Sequence, residues 1–165
     1  MKTVKRYDIA DYLNVDKTGS KEEFALMGVG FNTLDENPNA QTDTKTYISE
    51  KASSSVIKSY QPQFSFDSDL IKEESAIMAL YNVGRNQLCG TDAEFDYVRV
   101  ELFQPVEESE NTYKARKFRV SAEISSYSGA GGETVTVSGN LNAVGNFVDG
   151  TFNTKTRTFI ETTTP

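Results

Sequence analysis

Asp92, Glu94 and Asp96 alternate along the chain, the spacing at which oxygen ligands can meet a calcium ion. A calcium loop of that kind also needs a glycine at its bend and a closing glutamate at its twelfth position. Counted from Asp92 that position is Phe103, so the triplet reads as a solvated entry into a strand. Other carboxylates stand in adjacent pairs, Glu73 with Glu74 and Glu107 with Glu108, and adjacent side chains point different ways. Acid–base pairs of glycosidases come together from distant segments instead. The chain has no histidine, which removes the commonest general base, the commonest metal ligand and the usual pH switch. No G-x-S-x-G element is present. Gly129-Ala130-Gly131-Gly132 lacks the Lys-Ser/Thr pair of a phosphate loop and leads into no helix, so it reads as a hairpin tip. Cys89, between Leu88 and Gly90, reads as a small packing residue. The sequence therefore predicts no catalytic residue, no metal site, no cofactor and no enzyme.

Charge narrows the partners. The net charge is −7, whereas a surface that grips nucleic acid needs clustered lysine and arginine. One basic run, Lys114, Arg116, Lys117 and Arg119, lies beside the acidic stretch Glu107, Glu108 and Glu110. It is expected to be solvated or paired across a subunit contact. A single cysteine excludes an internal disulfide. The charged start, Met1 to Asp8, is no signal peptide, and the apolar run Ala76–Tyr81 is too short to span a bilayer. A protein folded in a cytoplasm, without a membrane partner, is expected.

These residues need elements to carry them. At 165 residues the chain reads as one domain with a lean core, 37% hydrophobic. Residues 1–15 are an arm in which Tyr7, Ile9 and Tyr12 can dock on a neighbour. Phe24 to Phe31 reads as a strand interrupted by Gly28 and Gly30. Residues 34–48 carry loop chemistry in Asp35, Asn37, Pro38, Gln41 and Thr44, and end on Tyr47 and Ile48. Val56 to Phe66 alternates with period two, placing Val56, Tyr60, Phe64 and Phe66 on one face and Ser59, Gln61 and Gln63 on the other. Pro62 puts that strand at an edge, a bulge or a seam. Asp67-Ser68-Asp69 reads as the cap of one helix over 69–83, with Gly84 as its stop. Alternation then predicts strands at Phe95–Phe103, Tyr113–Ser125 (Glu123 outward) and Thr134–Leu141, and a tight turn at Asp149-Gly150 before a strand to Ile160. The expected fold is mainly β: a β-sandwich or partial barrel flanked by one α-helix, with a long hairpin loop.

In that order the parts resemble the tail tube (major tail) proteins of long-tailed phages. The resemblance is sharpest in Ser138-Gly139-Asn140-Leu141-Asn142-Ala143-Val144-Gly145, running into Phe147-Val148-Asp149-Gly150-Thr151-Phe152, and in the Asp67-Ser68-Asp69 junction. It implies a structural virion protein, assembled in the host cytoplasm, that forms hexameric rings stacked into a hollow tube. The tube surrounds a tape-measure protein, meets tail terminator and distal tail proteins at its ends, and later passes DNA into the host. It also implies that the long loop and the arms join subunits. On this chain those roles would fall to Leu34, Asp35, Asn37, Pro38, Gln41, Thr44, Tyr47 and Ile48 in the loop, and to Tyr7, Ile9, Tyr12, Phe159 and Ile160 in the arms 1–15 and 153–165. Ser59, Gln61, Gln63 and Glu123 are candidates for a lumen or sheet face.

Two other readings stay open on the sequence: a tube protein of a contractile secretion or bacteriocin apparatus, and a monomeric β-sandwich binding module. A sheath among its neighbours would mark the first. A stable monomer with an aromatic patch would mark the second.

Overall fold

A computed structural model describes residues 1–163. After a short 3-10 turn at Arg6–Asp8, the strands are β1 (Ile9–Asn14), β2 (Phe24–Leu26), β3 (Phe31–Asn37), β4 (Ala40–Lys45), β5 (Ser54–Tyr60) and β6 (Gln63–Asp69). The helix α1 (Ser75–Arg85) and a 3-10 turn at Gly90–Ala93 follow. The chain closes with β7 (Glu94–Pro105), β8 (Thr112–Ser128), β9 (Thr136–Ala143), β10 (Val148–Asn153) and β11 (Thr158–Glu161).

Nine strands form one antiparallel sheet in the order β2-β1-β7-β8-β9-β6-β3, and β10 joins β8 and carries β11. The long β8 organises it. Residues 114–121 pair with β7, residues 120–128 pair with β9, and residues 112–117 pair with β10. The sheet therefore divides along β8 and folds over itself without closing into a barrel. Inside the fold, Leu13, Phe64, Phe66, Phe95, Tyr97, Phe118, Val120 and Leu141 pack with Ala76, Leu80 and Val83 of α1. A smaller second core of Tyr12, Phe24, Val98, Val100, Ala115 and Phe152 occupies the other face. This is why β7 is apolar on both faces: even positions serve the second core and odd positions the first.

Several expectations are corrected. The helix starts at Ser75 rather than residue 69, because Asp67–Asp69 finishes β6 with Ser68 turned inward and its hydroxyl donating to the Val137 carbonyl at 3.1 Å. Leu70 and Ile71 thus precede the helix, whose buried stripe is Ala76, Ile77, Leu80 and Val83. The predicted loop 34–48 is mostly strand: Leu34 to Asn37 belong to β3, which pairs with β6, and Ala40 to Lys45 form β4. The predicted single strand Val56–Phe66 breaks at Gln61-Pro62 into β5 and β6. Asp149-Gly150 lies within β10, and the turn comes at residues 154–157. Cys89 is exposed, so it does no packing.

The arms are smaller than expected. Ile9–Asn14 is an internal strand between β7 and β2, with Tyr12 and Leu13 buried in the two cores. The C-terminal segment folds back as the β10–β11 hairpin; its last two positions, 164 and 165, lie outside the described residues.

Candidate assembly interface

β4 and β5 form a two-stranded ribbon that pairs with nothing else among the described residues. Every residue of β5 is exposed, and so is every residue of β4 except the half-buried Gln41. Large apolar side chains nevertheless line it: Val56, Ile57 and Tyr60 on β5, and Tyr47 and Ile48 at the tip. A two-stranded ribbon with no layer behind it has marginal stability in water. Its root explains its independence. The β3–β6 ladder ends at Asn37 and Gln63, and the β4–β5 ladder begins at Ala40 and Tyr60. Between them stand Pro38 and Pro62, one on each strand, and neither has an N–H to give a ladder. One backbone bond, Gln61 N–H to the Asn39 carbonyl at 3.1 Å, joins the strands there, and Asn39 takes a left-handed φ of 51°.

The four strands β3-β6-β9-β8 present a polar face of hydrogen-bonded rows. Gln63 donates to Asn142 at 2.9 Å, and Asn142 donates to Glu123 at 3.0 Å. Ser65 donates to Asn140 at 3.0 Å, and hydroxyl pairs join Ser126 to Ser138 at 2.7 Å and Ser128 to Thr136 at 2.9 Å. The register adds Asp35, Asp67 and Asp69 to this face, and Glu94 and Asp96 beside Arg119. Four carboxylates, Asp35, Asp67, Asp69 and Glu123, thus stand on the four-stranded face, and Glu94 and Asp96 of β7 pair with Arg119. Of the four candidate face residues, the structure brings Gln63 and Glu123 together through Asn142. Ser59 lies on the ribbon and Gln61 in its root.

This four-stranded unit has two open edges. The outer edge of β3 meets no strand among the described residues, and β8 beyond Ser121 has no ladder partner on its β7 side. Such edges invite pairing with another chain.

The seam between β1 and β3 is closed by charge instead of a ladder. Arg116 grips Glu36 through two bonds of 2.8 and 2.9 Å, and Arg99 lies 3.4 Å from Glu36 and 3.4 Å from Asp11. Tyr97 donates its hydroxyl proton to Asp11, which Arg6 also holds at 2.6 Å. Burial works against the Arg99 charge, but Tyr97, Asp11 and Glu36 around it outweigh burial and raise its pKa. Burial, and next the Asp11 carboxylate, push the Tyr97 hydroxyl well above its ordinary 10.0. Sequence reasoning missed this cluster. Its members come from four strands and a turn, and no local spacing marks them.

The other sequence candidates disperse. Arg119 holds Glu94 at 3.0 Å and Asp96 at 3.2 Å, so the alternating acids and part of the basic run neutralise each other within one subunit. Arg116 likewise turns to Glu36, not to Glu107, Glu108 or Glu110. Tyr7 is exposed beside the seam and Ile9 is half-buried; on β11, Phe159 packs on the second core while Ile160 is exposed. Asp35, Asn37, Pro38, Gln41 and Thr44 run along β3, the root and β4, whereas Leu34 lies on β3 with its side chain buried in the main core.

No protein-family model and no curated protein matches the sequence. Solved structures do match. The SPP1 tail tube, a hybrid solid-state NMR and cryo-EM structure, superposes with a TM-score of 0.68 at 12% identity, over 89% of this chain and 78% of that one. The tail of an empty GTA particle, computed with helical refinement and C6 symmetry, gives 0.58 at 13% identity, over 88% and 97%. At such identities the likeness is one of fold: this chain has the fold found in tail tube proteins.

Proposed function

We propose that this chain is a tail tube subunit, a structural virion protein that assembles as stacked six-fold rings into a hollow tube through which DNA passes. One observation carries the reading: on a tail-tube fold, an apolar-lined ribbon projects with nothing among the described residues to cover it. Burial of apolar area, worth about 25 cal/mol per Å², is the main drive for association, and a second copy is the cover a stacked tube supplies. In this reading Tyr47, Ile48, Val56, Ile57 and Tyr60 reach the next ring, with Asn37, Pro38, Gln41 and Thr44 along the reach. Tyr7 and Ile160 contact neighbours at the periphery.

Around a ring, the open β3 edge of one subunit meets the open β8 edge of the next. Strand directions alternate β3 up, β6 down, β9 up, β8 down, so this junction is antiparallel and the pattern continues without a break. Six such units give 24 strands, and at roughly 4.8 Å per strand a circumference of about 115 Å before any tilt. The polar face with Gln63 and Glu123 would line that lumen. Six copies at −7 total −42, and acids on the inner wall would repel phosphates and let DNA slide. A tape-measure protein inside, and terminator and distal tail proteins at the ends, complete the expected partners.

The test is electron microscopy of the purified protein over a range of concentrations. Rings or tubes about 100 Å wide, roughly two or three small domains across, are expected. A particle that stays single at every concentration refutes the reading.

A further inference from the structure

The open β3 edge is not bare. Arg6, in the N-terminal turn, spans the seam: Nη1 donates to the Ile9 carbonyl at 2.9 Å, and Nη2 donates to Asp11 at 2.6 Å and to the Leu34 carbonyl at 3.3 Å. Asp8 fixes the turn that presents it, accepting the Lys5 N–H at 2.7 Å. Leu34 sits in the middle of β3 with its side chain buried, and its carbonyl points to the outer edge, where Arg6 takes the place of a strand.

We propose that Arg6 is a latch on the β3 edge, which must let go of Leu34 before a second copy of the chain can pair there. The inference rests on the tube reading above, in which the incoming strand is the 122–128 segment of a neighbour's β8. An antiparallel partner needs the outward carbonyls of alternate β3 residues as acceptors. Leu34 supplies one of them, and it is occupied. The bond to Leu34 is the longest of the three, so the guanidinium can release it while staying on Asp11. The latch thus slows edge pairing without locking the subunit. It also shields an edge that would otherwise template uncontrolled association.

Full-length wild type, Arg6→Ala and Arg6→Lys are compared by light scattering and electron microscopy for the concentration at which tubes begin to form. Hydrogen exchange of residues 31–37 is measured below that concentration. Arg6→Ala is expected to assemble at about tenfold lower concentration, the scale of one hydrogen bond from a charged donor, and to exchange faster over 31–37. Arg6→Lys keeps a charge on Asp11 but has one compact head that cannot span both carbonyls, so it should fall between. Should Arg6→Ala fail to fold, Arg6→Lys carries the comparison. Failure of both to fold overturns the latch and makes Arg6 a structural strut. Wild-type tubes with an unchanged or higher onset in folded variants overturn the latch and leave the tube reading standing. No tubes from any of the three proteins overturns both. Tubes from Arg6→Ala alone support both.

Discussion

Tyr97 carries the clearest pH signature in the molecule. Its hydroxyl is fully buried, donates to Asp11 and accepts from Arg99 Nη1 at 3.3 Å. Because its folded pKa is raised above the unfolded value near 10, the folded state keeps a proton that the unfolded state gives up. The stabilisation is complete below pH 10 and is lost as pH rises beyond it. Thermal melts at stepped pH should therefore show a falling alkaline limb, and Tyr97→Phe should flatten much of it. Tyr12 and Tyr127, also raised by burial, account for the residual slope. An unchanged slope in Tyr97→Phe would place the alkaline sensitivity elsewhere. Gly139 makes a steric prediction at the same scale. It faces Ile124 where β8 bulges, and a Cβ there would overlap the Glu123 carbonyl oxygen. Gly139→Ala should cost about 1–3 kcal/mol, read as a lower urea midpoint at unchanged m-value.

At the scale of elements, what the sequence discloses depends on whether a strand has a core to face. The alternation of Phe118, Val120 and Ala122 against Arg119, Ser121 and Glu123 is legible because one side is buried and the other wet. β4 has neither side buried in the subunit, so its composition carries loop residues and no period. That is why 34–48 reads as a loop. The helix start misleads for another reason. Asp67-Ser68-Asp69 has the chemistry of an N-cap, but its alternation continues that of β6, and the ladder to β9 holds it in the strand through Asp69. The seam cluster is illegible altogether, because Asp11, Glu36, Arg99 and Arg116 meet only through the topology. The same exposure gives the ribbon a clean experimental signature. Ile48→Asp and Val56→Asp remove exposed apolar surface that belongs to neither core of the subunit. Each should shift subunit stability by less than about 0.5 kcal/mol, yet raise the assembly onset concentration at least about tenfold. A large loss of stability would mean the ribbon packs on its own subunit in solution.

At the scale of the whole molecule, assembly has to overcome like charge. Each subunit brings −7, and the four-stranded polar face carries Asp35, Asp67, Asp69 and Glu123, while Arg119 is engaged with Glu94 and Asp96 of β7. In the proposed ring these faces would turn toward one another across a shared space, so repulsion would grow with each subunit added. Its range is set by salt: about 30 Å at 0.01 M but about 10 Å at 0.1 M. Tube onset should therefore move to lower concentration as ionic strength rises from 0.01 to 0.15 M. The opposite trend would mean that ion pairs between subunits dominate. A variant separates screening of the inner face from general salting-out. Asp67 and Asp69 both accept from Asn32 Nδ2 at 3.2 Å, and asparagine keeps an oxygen for that bond. The double change Asp67→Asn, Asp69→Asn should lower the onset concentration at 0.01 M and lose most of its advantage at 0.15 M. An equal shift at both ionic strengths would place these carboxylates away from any surface on which subunits face one another.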